Sequence, residues 1–440
     1  MGNIGSMSIT EYIPLLVLII SFIGLLAMGA PVAWSIAISS LLTLLVSVPM
    51  LPAFATISQR MATGLDSFAL LAIPFFVLSG ELMNQGGIAH RLIAFAKTLV
   101  GALPGGLALI NVISAMLMGA IAGSALASAS AMGSILGPEM EKEGYDKEFG
   151  AAVNITSATT GLVIPPSNIL IVYSLASGGA SIAALFLAGY IPGLLTGLLL
   201  MIVAMLWAKK KGYGKGERSS LKQVFKTFID AVPSLLLLVL VIGGIVAGIF
   251  TATEASAIAV LYSLLLGFVY KQISFGKLPE IFLNASATTA IVMLLIGASM
   301  SMSWVLSFEH IPQEISSGLL SITDNKIALL LIINLILLFV GIFMDITPAV
   351  LIFTPIFLPI VTKLGIDPVH FGIIMILNLC IGLCTPPVGS VLFVGVGIAR
   401  TSIEKVIKPL VPLFLAMIVA LFLITYFPGL SLWLPRLFGL

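Results

Sequence analysis

The chain has 440 residues, of which 60% are hydrophobic and only 9% are charged, and its mean hydropathy is +1.21. Because soluble domains carry about 25% charged residues, its 20 basic and 18 acidic side chains are too few to cover a soluble protein of this length. The apolar runs are long and continuous, which predicts an all-α polytopic membrane protein rather than a barrel of short alternating strands. The net charge of +2 gives no indication of a nucleic-acid partner.

The apolar segments fall into three groups along the chain. Two of them, 150–176 and 371–397, are interrupted by Pro-Pro pairs, and we expect broken helices there. Two others, at about 104–140 and 325–361, are interrupted by small residues or proline, and we expect re-entrant hairpins that enter and leave the membrane on one side. Uninterrupted stretches long enough to cross a bilayer occur at 12–30, 32–50, 68–85, 183–208, 230–250, 254–270, 282–306 and 410–430.

The basic residues predict the orientation of the chain. Segment 209–226 holds seven of the 20 Lys and Arg residues, and the positive-inside rule places it in the cytoplasm. With re-entrant hairpins, nine further basic residues fall on the same side and four on the other, whereas single crossings of the hairpin regions would give a split of 14 to 6. The favoured arrangement has ten crossings, five in each half, and both termini in the periplasm.

Two parts of the chain repeat each other. Segments 138–182 and 359–403 align at a constant offset of 221 residues, with matching Pro-Pro pairs, a glycine four residues before each pair, and a Gly-x-Asp turn. Gly and Pro are common in membrane helices, but a chance origin of this ungapped match is a poor explanation. Five predicted crossings separate the copies, so the copies are inverted, which is typical of secondary transporters with binding sites at interrupted helices. The predicted division is a first repeat at 7–208, a basic cytoplasmic linker at 209–229, and a second repeat at 230–440.

The Pro-Pro pairs are expected to open the two helices at 161–166 and 382–387. Proline lacks an N–H and clashes with the carbonyl group four residues earlier, so carbonyl groups are freed that need partners inside a membrane. Such carbonyl groups, together with a hydroxyl, can coordinate a sodium ion. The half-helices that begin near Ser167 and Ser390 present N–H groups and positive dipole ends, which favour an anion.

The hairpin tips are expected to meet these breaks. The first tip, 119–130, is rich in glycine, alanine and serine, which permits close backbone approach, although simple helix packing explains it equally well. The second tip contains Asp345, either as a functional carboxylate at membrane depth or as the N-cap of the next half-helix. A polar stripe before the first break has no full counterpart at 375–381, which favours a substrate nearer the first half. The candidate substrate-binding residues are Ser128, Asn154, Thr159, Ser167, Asn168 and Asp345.

Two further carboxylates, Glu81 and Glu254, lie in apolar segments. Either one binds an ion directly, or it lies at a helix end or pairs with a neighbouring residue. The sequence does not decide between these alternatives.

Three segments resemble one family. Segments 123–173 and 341–389 resemble the signature of the large membrane subunit of TRAP transporters, the DctM-like permeases, and 248–267 resembles the segment that opens the family's second half. The resemblance extends over nearly the whole chain. It implies the permease subunit of a sodium-coupled, binding-protein-dependent secondary importer in the bacterial inner membrane, which carries organic acids of the sialic acid or C4-dicarboxylate class.

The resemblance also implies partners and ligands. The partners would be a small membrane subunit on a separate chain, since none is fused within these 440 residues, a periplasmic substrate-binding protein and membrane lipid. Hairpins and broken helices would form a transport domain that moves as an elevator against a scaffold, with two or more sodium ions as coupling ions. One implied sodium site uses Gly119, Ser124, Gly161, Ile164 and Pro166, and the other uses Gly341, Gly382, Thr385 and Val388, mostly through carbonyl groups. Since Ile164 corresponds to Thr385, only the second site gains a hydroxyl there.

Other classes of function have weaker support. An intramembrane enzyme would need a dyad, a metal cluster or a phosphate-handling loop, and the sequence contains neither an HExxH nor a G-x-S-x-G motif. We therefore expect no enzyme and no catalytic residue. A passive channel would pass substrate without sodium. The nearest alternative is a stand-alone sodium- or proton-coupled anion permease of a related ion-transporter fold, which needs no binding protein.

Overall fold

The structure, a computed structural model, describes residues 9–214, 219–323 and 325–440. Positions 7 and 8 of the first predicted repeat, and Lys215 and Arg218 of the basic segment, lie outside the described residues. The described part is helical and contains no strand, which confirms the all-α prediction. In chain order its α-helices are α1 Ile9–Ala27, α2 Val32–Ser47, α3 Met50–Gly64, α4 Ala72–Gln85, α5 Ile88–Val100, α6 Gly106–Ala122, α7 Ala125–Lys142, α8 Lys147–Thr160, α9 Asn168–Ala176, α10 Ile182–Lys211, α11 Leu221–Val246, α12 Ala252–Val269, α13 Leu278–Phe308, α14 Ile311–Ile322, α15 Lys326–Phe343, α16 Ile346–Lys363, α17 Pro368–Gly382, α18 Ser390–Ile398, α19 Ile403–Tyr426 and α20 Gly429–Leu437.

Many of these helices are long and apolar enough to cross a membrane. By length and composition, eight segments of the described chain qualify: α10, α11, α12, α15, α16, α19, and α4 and α13 each extended by a preceding 3-10 turn. Helices α1, α2, α6 and α17 are shorter apolar helices. Every uninterrupted stretch predicted from the sequence contains a helix that covers most of it. The count of five crossings in each half stays a prediction.

Four short helices were not predicted. Helices α3, α5, α14 and α20 have 15, 13, 12 and 9 residues. At about 1.5 Å per residue none reaches the roughly 30 Å of a bilayer core. Turns precede them, with proline before α3 and α20 and left-handed residues, Gly87 and His310, before α5 and α14. Each contains a charged side chain among its apolar residues (Arg60, Arg91, Glu314 and Arg436), so none of them forms an uninterrupted apolar stretch.

Both helices with Pro-Pro pairs are broken, as predicted. Helix α8 ends at Thr160 and α9 begins at Asn168, while α17 ends at Gly382 and α18 begins at Ser390. The intervening residues are not helical because the prolines cannot donate the hydrogen bonds that would continue the helix.

The two broken helices run in opposite directions. Near the start of α8, the Glu148 carboxylate accepts a hydrogen bond from the Thr401 hydroxyl, just past the end of α18, at 3.2 Å. At the start of α17, the Pro368 carbonyl accepts a hydrogen bond from Tyr173, near the end of α9, at 2.6 Å. The helices meet midway, where the Cys384 thiol lies 3.4 Å from the Ile155 carbonyl. This is the geometry expected of inverted copies, although the repeat boundaries at 208 and 229 stay predictions.

The helices pack in two groups. Helices α1–α5 pack with α11–α14, and we call this group the frame. Helices α6–α10 pack with α15–α20, and we call this group the hairpin unit. The groups contact each other mainly where α4 and α5 pack on α6 and where α13 and α14 pack on α16.

The end of the molecule where α10 ends carries much of the basic segment, and we call it the basic end. There the Lys211 ammonium lies 3.0 Å from the Asp146 carboxylate. Hydrogen bonds from Tyr213 and Lys211 hold the pKa of Asp146 below its usual value. Burial and the neighbouring Asp146 raise the pKa of Tyr213 to about 12. On the same end, the Arg91 guanidinium lies 3.6 Å from the Tyr270 ring centre, which joins α5 to the end of α12.

Candidate functional site: hairpin tips, helix breaks and the central cavity

The first hairpin, α6–α7, touches the first break through two glycines. A Cβ atom on Gly119 would lie 2.5 Å from the Cα of Gly161, and a Cβ on Gly161 would lie 2.4 Å from the Cα of Gly119. No other residue fits without moving the backbones apart, and small residues allow this approach in membranes. The tip continues into Ser124, whose hydroxyl caps α7 by accepting from the Ala127 N–H at 3.2 Å.

The second hairpin, α15–α16, meets the second break in the same way. A Cβ atom on Gly382 would lie 2.5 Å from the Cα of Gly341. The Gly389 N–H, at the far side of the break, donates to the Ile342 carbonyl at 3.2 Å. Helices α15 and α16 are each long enough to cross a membrane. The turn between them nevertheless lies at the second break, where the sequence predicted a hairpin tip.

The structure thus brings together the core of each implied sodium site. In the first, no described residue donates a hydrogen bond to the carbonyl groups of Gly161 or Ile164, while the Ile164 side chain is directed onto α10, where a Cβ on Gly193 would lie 2.3 Å from it. In the second, the Thr385 hydroxyl donates to the Ile381 carbonyl at 2.8 Å. Pro166 and Val388 lie within the two breaks.

The donor atoms at the breaks are oxygens of the backbone and of hydroxyl groups. Among the described residues, no group of three or more His, Cys, Asp or Glu side chains is placed to hold a metal ion. Carbonyl and hydroxyl oxygens suit a hard cation such as sodium rather than a metal that prefers sulfur or imidazole ligands. The donor set therefore fits sodium.

A cavity of about 330 Å³ lies beside both hairpin tips, between the hairpin unit and the frame. The first residues of four helices, α7, α9, α16 and α18, line it. The first N–H groups of a helix have no partner within the helix, and the helix dipole is positive there, so four such ends favour an anion. Polar residues of the lining are Glu81, Asn84, Ser124, Asn168, Thr288, Asp345, Thr347 and Ser390.

The charged residues of this central cavity are carboxylates. Glu81 and Asp345 line it, and no Lys, Arg or His is among its described lining residues. Glu81 accepts from the Gln85 side chain at 2.9 Å. Asp345 accepts from the Ile346 N–H at 2.9 Å, which confirms that it caps α16, and it also faces the cavity. Glu254 instead forms a capping box with Thr251 at the start of α12.

The candidate substrate residues separate into two groups. Asn168 and Asp345 line the central cavity, and Ser167 adjoins it, with its hydroxyl donated to the Leu162 carbonyl at 2.6 Å. The other three are not in its lining. Ser128 donates to the Ala115 carbonyl, Thr159 to the Thr156 carbonyl, and Asn154 to the Ala129 carbonyl.

The polar side chains of α8 before the first break therefore form hydrogen bonds to backbone carbonyl groups inside the hairpin unit and do not line the central cavity. Thr156, Ser157 and Thr160 likewise donate to carbonyl groups of their own helix, and both halves contribute to the cavity. The lining residues from the frame, Glu81, Asn84 and Thr288, were not proposed as substrate contacts from the sequence. Of these, only Glu81 gave a signal, as a carboxylate in an apolar run.

Comparison with known proteins decides the family. The family profile described as "Tripartite ATP-independent periplasmic transporter, DctM component" matches residues 19–430. The chain belongs to this family. It is a large permease component of a TRAP transporter, spans the membrane several times, and is a transporter rather than an enzyme, as the resemblance implied.

Three relatives match over almost their whole length. The chain is 58% identical over 430 residues to Uncharacterized protein YgiK of Salmonella typhimurium, covering 98% of this chain and 99% of that protein. It is 39% identical over 421 residues to the sialic acid TRAP transporter large permease protein SiaM of Vibrio cholerae, covering 96% and 98%. It is 37% identical over 432 residues to the C4-dicarboxylate TRAP transporter large permease protein DctM of Rhodobacter capsulatus, covering 95% and 98%.

A solved structure shares the fold. The crystal structure of the YdaH transporter of Alcanivorax borkumensis matches with a TM-score of 0.65 at 14% identity, covering 86% of this chain and 88% of that chain. At this identity the similarity concerns the fold alone.

Proposed function

We propose that this permease is the membrane subunit of a sodium-coupled importer of organic acids in the bacterial inner membrane. The observation that carries the proposal is the convergence of four helix N-termini on one cavity, with a glycine-to-glycine contact between hairpin and break in each half. The N-termini favour the anion, and the open carbonyl groups beside them favour the cation.

The cavity's charges supply a reason for coupling. An organic anion that enters meets Glu81 and Asp345, and the described lining offers no basic side chain in return. An unpaired charge away from water is costly, so positive charge at the two breaks would offset both the substrate and the carboxylates. Sodium and substrate would then each bind more tightly in the presence of the other. The names of the relatives indicate substrates of the sialic acid or C4-dicarboxylate class.

The position of the cavity supports an elevator movement. It lies between the frame and the hairpin unit, and both tips and both breaks belong to the hairpin unit. If that unit moves as one body, the bound anion and its sodium ions move with it, while α4 and α13 of the frame stay in place.

The family's tripartite description supports partners outside this chain. We propose a small membrane subunit on a separate chain and a periplasmic substrate-binding protein, with lipid covering the exposed apolar side chains of the helices. The basic end would face the cytoplasm, and both termini would face the periplasm, by the positive-inside rule.

Uptake into proteoliposomes tests this proposal. The permease, reconstituted with its small subunit and supplied with its binding protein, should accumulate organic acid only under an inward sodium gradient. Equal uptake with potassium in place of sodium would contradict the coupling. Equal uptake without the binding protein would instead favour a stand-alone permease.

A further inference from the structure

Three buried polar side chains form a chain of hydrogen bonds across the hairpin unit. Asn378 of α17 donates to the side-chain oxygen of Asn334 of α15 at 2.8 Å, and Asn334 donates to the Thr425 hydroxyl of α19 at 3.2 Å. Each of the three is at most 1% exposed, and none lines the central cavity. We call Asn334 and Asn378 the amide pair. The pair joins the first arm of the second hairpin to the second broken helix, and the function proposed above does not use it.

The amide pair lies on the same interface as the second glycine contact. Asn378 precedes Gly382 by four residues on α17, and Asn334 precedes Gly341 by seven residues on α15, which is about one and two helical turns. Both helices end at the contact between the hairpin tip and the break. The hydrogen bond between the amides therefore sets how far α15 can slide along α17, and so where the tip meets the break.

Stability alone does not explain the amide pair. Asn378 gives its second N–H to the Ile374 carbonyl at 2.8 Å, and its Oδ1 atom has no hydrogen-bond partner among the described residues. A buried oxygen without a partner lowers stability, and two apolar side chains of the same shape would pack without that cost. A hydrogen bond, however, weakens steeply when its geometry changes, so a buried amide fixes the register between two helices, as a single asparagine does in a coiled coil.

The first half has a shorter side chain at the corresponding position of its broken helix. At the repeat offset of 221 the counterpart of Asn378 is Ser157. The Ser157 hydroxyl donates to the Val153 carbonyl of its own helix at 2.6 Å and lies 3.4 Å from the Asn111 side-chain oxygen of α6. A hydroxyl has a single hydrogen to donate, so the shorter bond within α8 uses it. Between the first arm of the hairpin and the broken helix, the second half therefore has the stronger polar bond.

We propose that the amide pair holds the second hairpin in register with the second break, and thereby positions the second sodium site. In this register the Ile342 carbonyl accepts from the Gly389 N–H at 3.2 Å, and Gly341 lies against Gly382. If α15 slid along α17, that bond would lengthen and the carbonyl groups of the two glycines would move apart, so sodium would bind more weakly. The link to sodium rests on the proposed function, whereas the effect on the break does not.

Hydrogen exchange of the purified full chain in potassium chloride tests the effect on the break. Asn378→Ser introduces the residue of the first half. The combined variant Asn334→Leu with Asn378→Leu removes both partners, which should leave the thermal stability close to that of the wild type. In both variants the amides of 383–392 should exchange about fivefold or more faster, because the Gly389 bond opens more often. The amides of 162–171, at the first break, should keep their wild-type rates.

Uptake into proteoliposomes tests the link to sodium. Both amide variants should raise the sodium concentration for half-maximal uptake by about fivefold. The maximal rate at saturating sodium should stay within about twofold, because concentration overcomes weaker binding. Ser263→Ala is the matched control, since the Ser263 hydroxyl lies 3.0 Å from that of Ser79 in a buried pair that joins α12 to α4 within the frame. Its loss should leave the sodium dependence and the exchange of 383–392 unchanged.

Four results would overturn the proposal. They are wild-type exchange of 383–392 in both amide variants, an equal rise in exchange at both breaks, the same changes in Ser263→Ala, and a wild-type sodium dependence in both amide variants. The second result would show a general loosening of the protein rather than a loss of register. If wild-type uptake did not require sodium, the proposed function would fail, whereas the exchange comparison, made without sodium, would still show whether the amide pair holds the break.

Discussion

The caps of the two hairpin tips differ in charge. In the first half, the neutral hydroxyl of Ser124 caps α7, whereas in the second half the carboxylate of Asp345 caps α16. Both caps satisfy an N–H group at the start of a helix, and both face the central cavity. Both tips are thus capped, one by a neutral side chain and one by a charged one, and only the second tip adds an acidic group to the central cavity.

The breaks also differ in what holds them. The first break is closed by its own side chain, since Ser167 donates to the Leu162 carbonyl at 2.6 Å. The second break is bonded to its hairpin, since Gly389 donates to the Ile342 carbonyl at 3.2 Å. A displaced second hairpin would therefore leave a backbone group of the break unpaired, whereas a displaced first hairpin would not. The comparison predicts unequal responses to matched substitutions.

The largest effects are expected at the glycine contacts between hairpin and break. Gly161→Ala places a Cβ atom 2.4 Å from the Cα of Gly119, so the hairpin has to move away from the break. Overpacking of this kind costs about 1–3 kcal/mol of unfolding free energy, and the shift of the tip should lower uptake by about tenfold or more. Thermal unfolding and proteoliposome uptake measure the two effects.

Two further variants sharpen this result. Gly382→Ala, the counterpart in the second half, places a Cβ atom 2.5 Å from the Cα of Gly341 and should cost at least as much, because a displaced second hairpin also loses the hydrogen bond from Gly389 to the Ile342 carbonyl. Gly137→Ala, in α7, meets nothing within 4 Å and should behave like the wild type. Equal losses in Gly161→Ala and Gly137→Ala would show that the close contact is not what matters.

The next effect is expected at the charged cap. Asp345→Asn keeps an oxygen that can cap α16 but removes the charge, so thermal stability should change by less than about 0.5 kcal/mol. Uptake should fall by about tenfold, because the charge that would face the proposed sodium ions is lost. Glu254→Gln is the control, since Glu254 belongs to a cap at the start of α12 away from the cavity. Wild-type uptake in Asp345→Asn would mean that Asp345 only caps the helix.

A smaller effect is expected from the one hydroxyl that distinguishes the second break. Thr385→Ala should raise the sodium concentration for half-maximal uptake by about fivefold, the equivalent of about 1 kcal/mol. Thr362→Ala is the control, because that hydroxyl likewise bonds within its own helix, to the Leu358 carbonyl at 2.9 Å. An unchanged sodium dependence in Thr385→Ala would remove Thr385 from the sodium site.

The smallest effect on stability is expected at the basic end, which belongs to neither break. Since the pKa of Asp146 is lowered in the folded protein, its contribution to stability is present above its usual value of 3.8 and is lost as the pH falls below that value. The pair with Lys211 is half-exposed, so Asp146→Asn should cost at most about 0.5 kcal/mol at pH 7. Thermal unfolding of the wild type and of Asp146→Asn at pH 7 and pH 3.5 measures this difference in stability. A larger destabilisation by the substitution at pH 3.5 than at pH 7 would contradict a lowered pKa of Asp146.

The sequence predicted the breaks well, because proline acts locally through its missing N–H. The residue pattern also predicted that the hairpin tips meet the breaks, whereas the grouping of Gly119 with Gly161 and of Gly341 with Gly382 came from the family resemblance. It could not place the polar residues of α8, because residues 151–160 are buried on every face. A helix buried all round has no periodic pattern that marks the side toward a cavity. Glu81 and Thr288 were missed as lining residues because their helices meet the hairpin tips only in three dimensions.

Cryo-electron microscopy of the complex in sodium chloride and in potassium chloride tests the central claim most directly. In sodium, ion density should appear beside each glycine pair, Gly119–Gly161 and Gly341–Gly382, within coordination distance of several carbonyl oxygens. In potassium both densities should weaken or disappear. Breaks without ion density in sodium, or identical density in both salts, would contradict the claim that opposed helix breaks hold the sodium ions that accompany the anion.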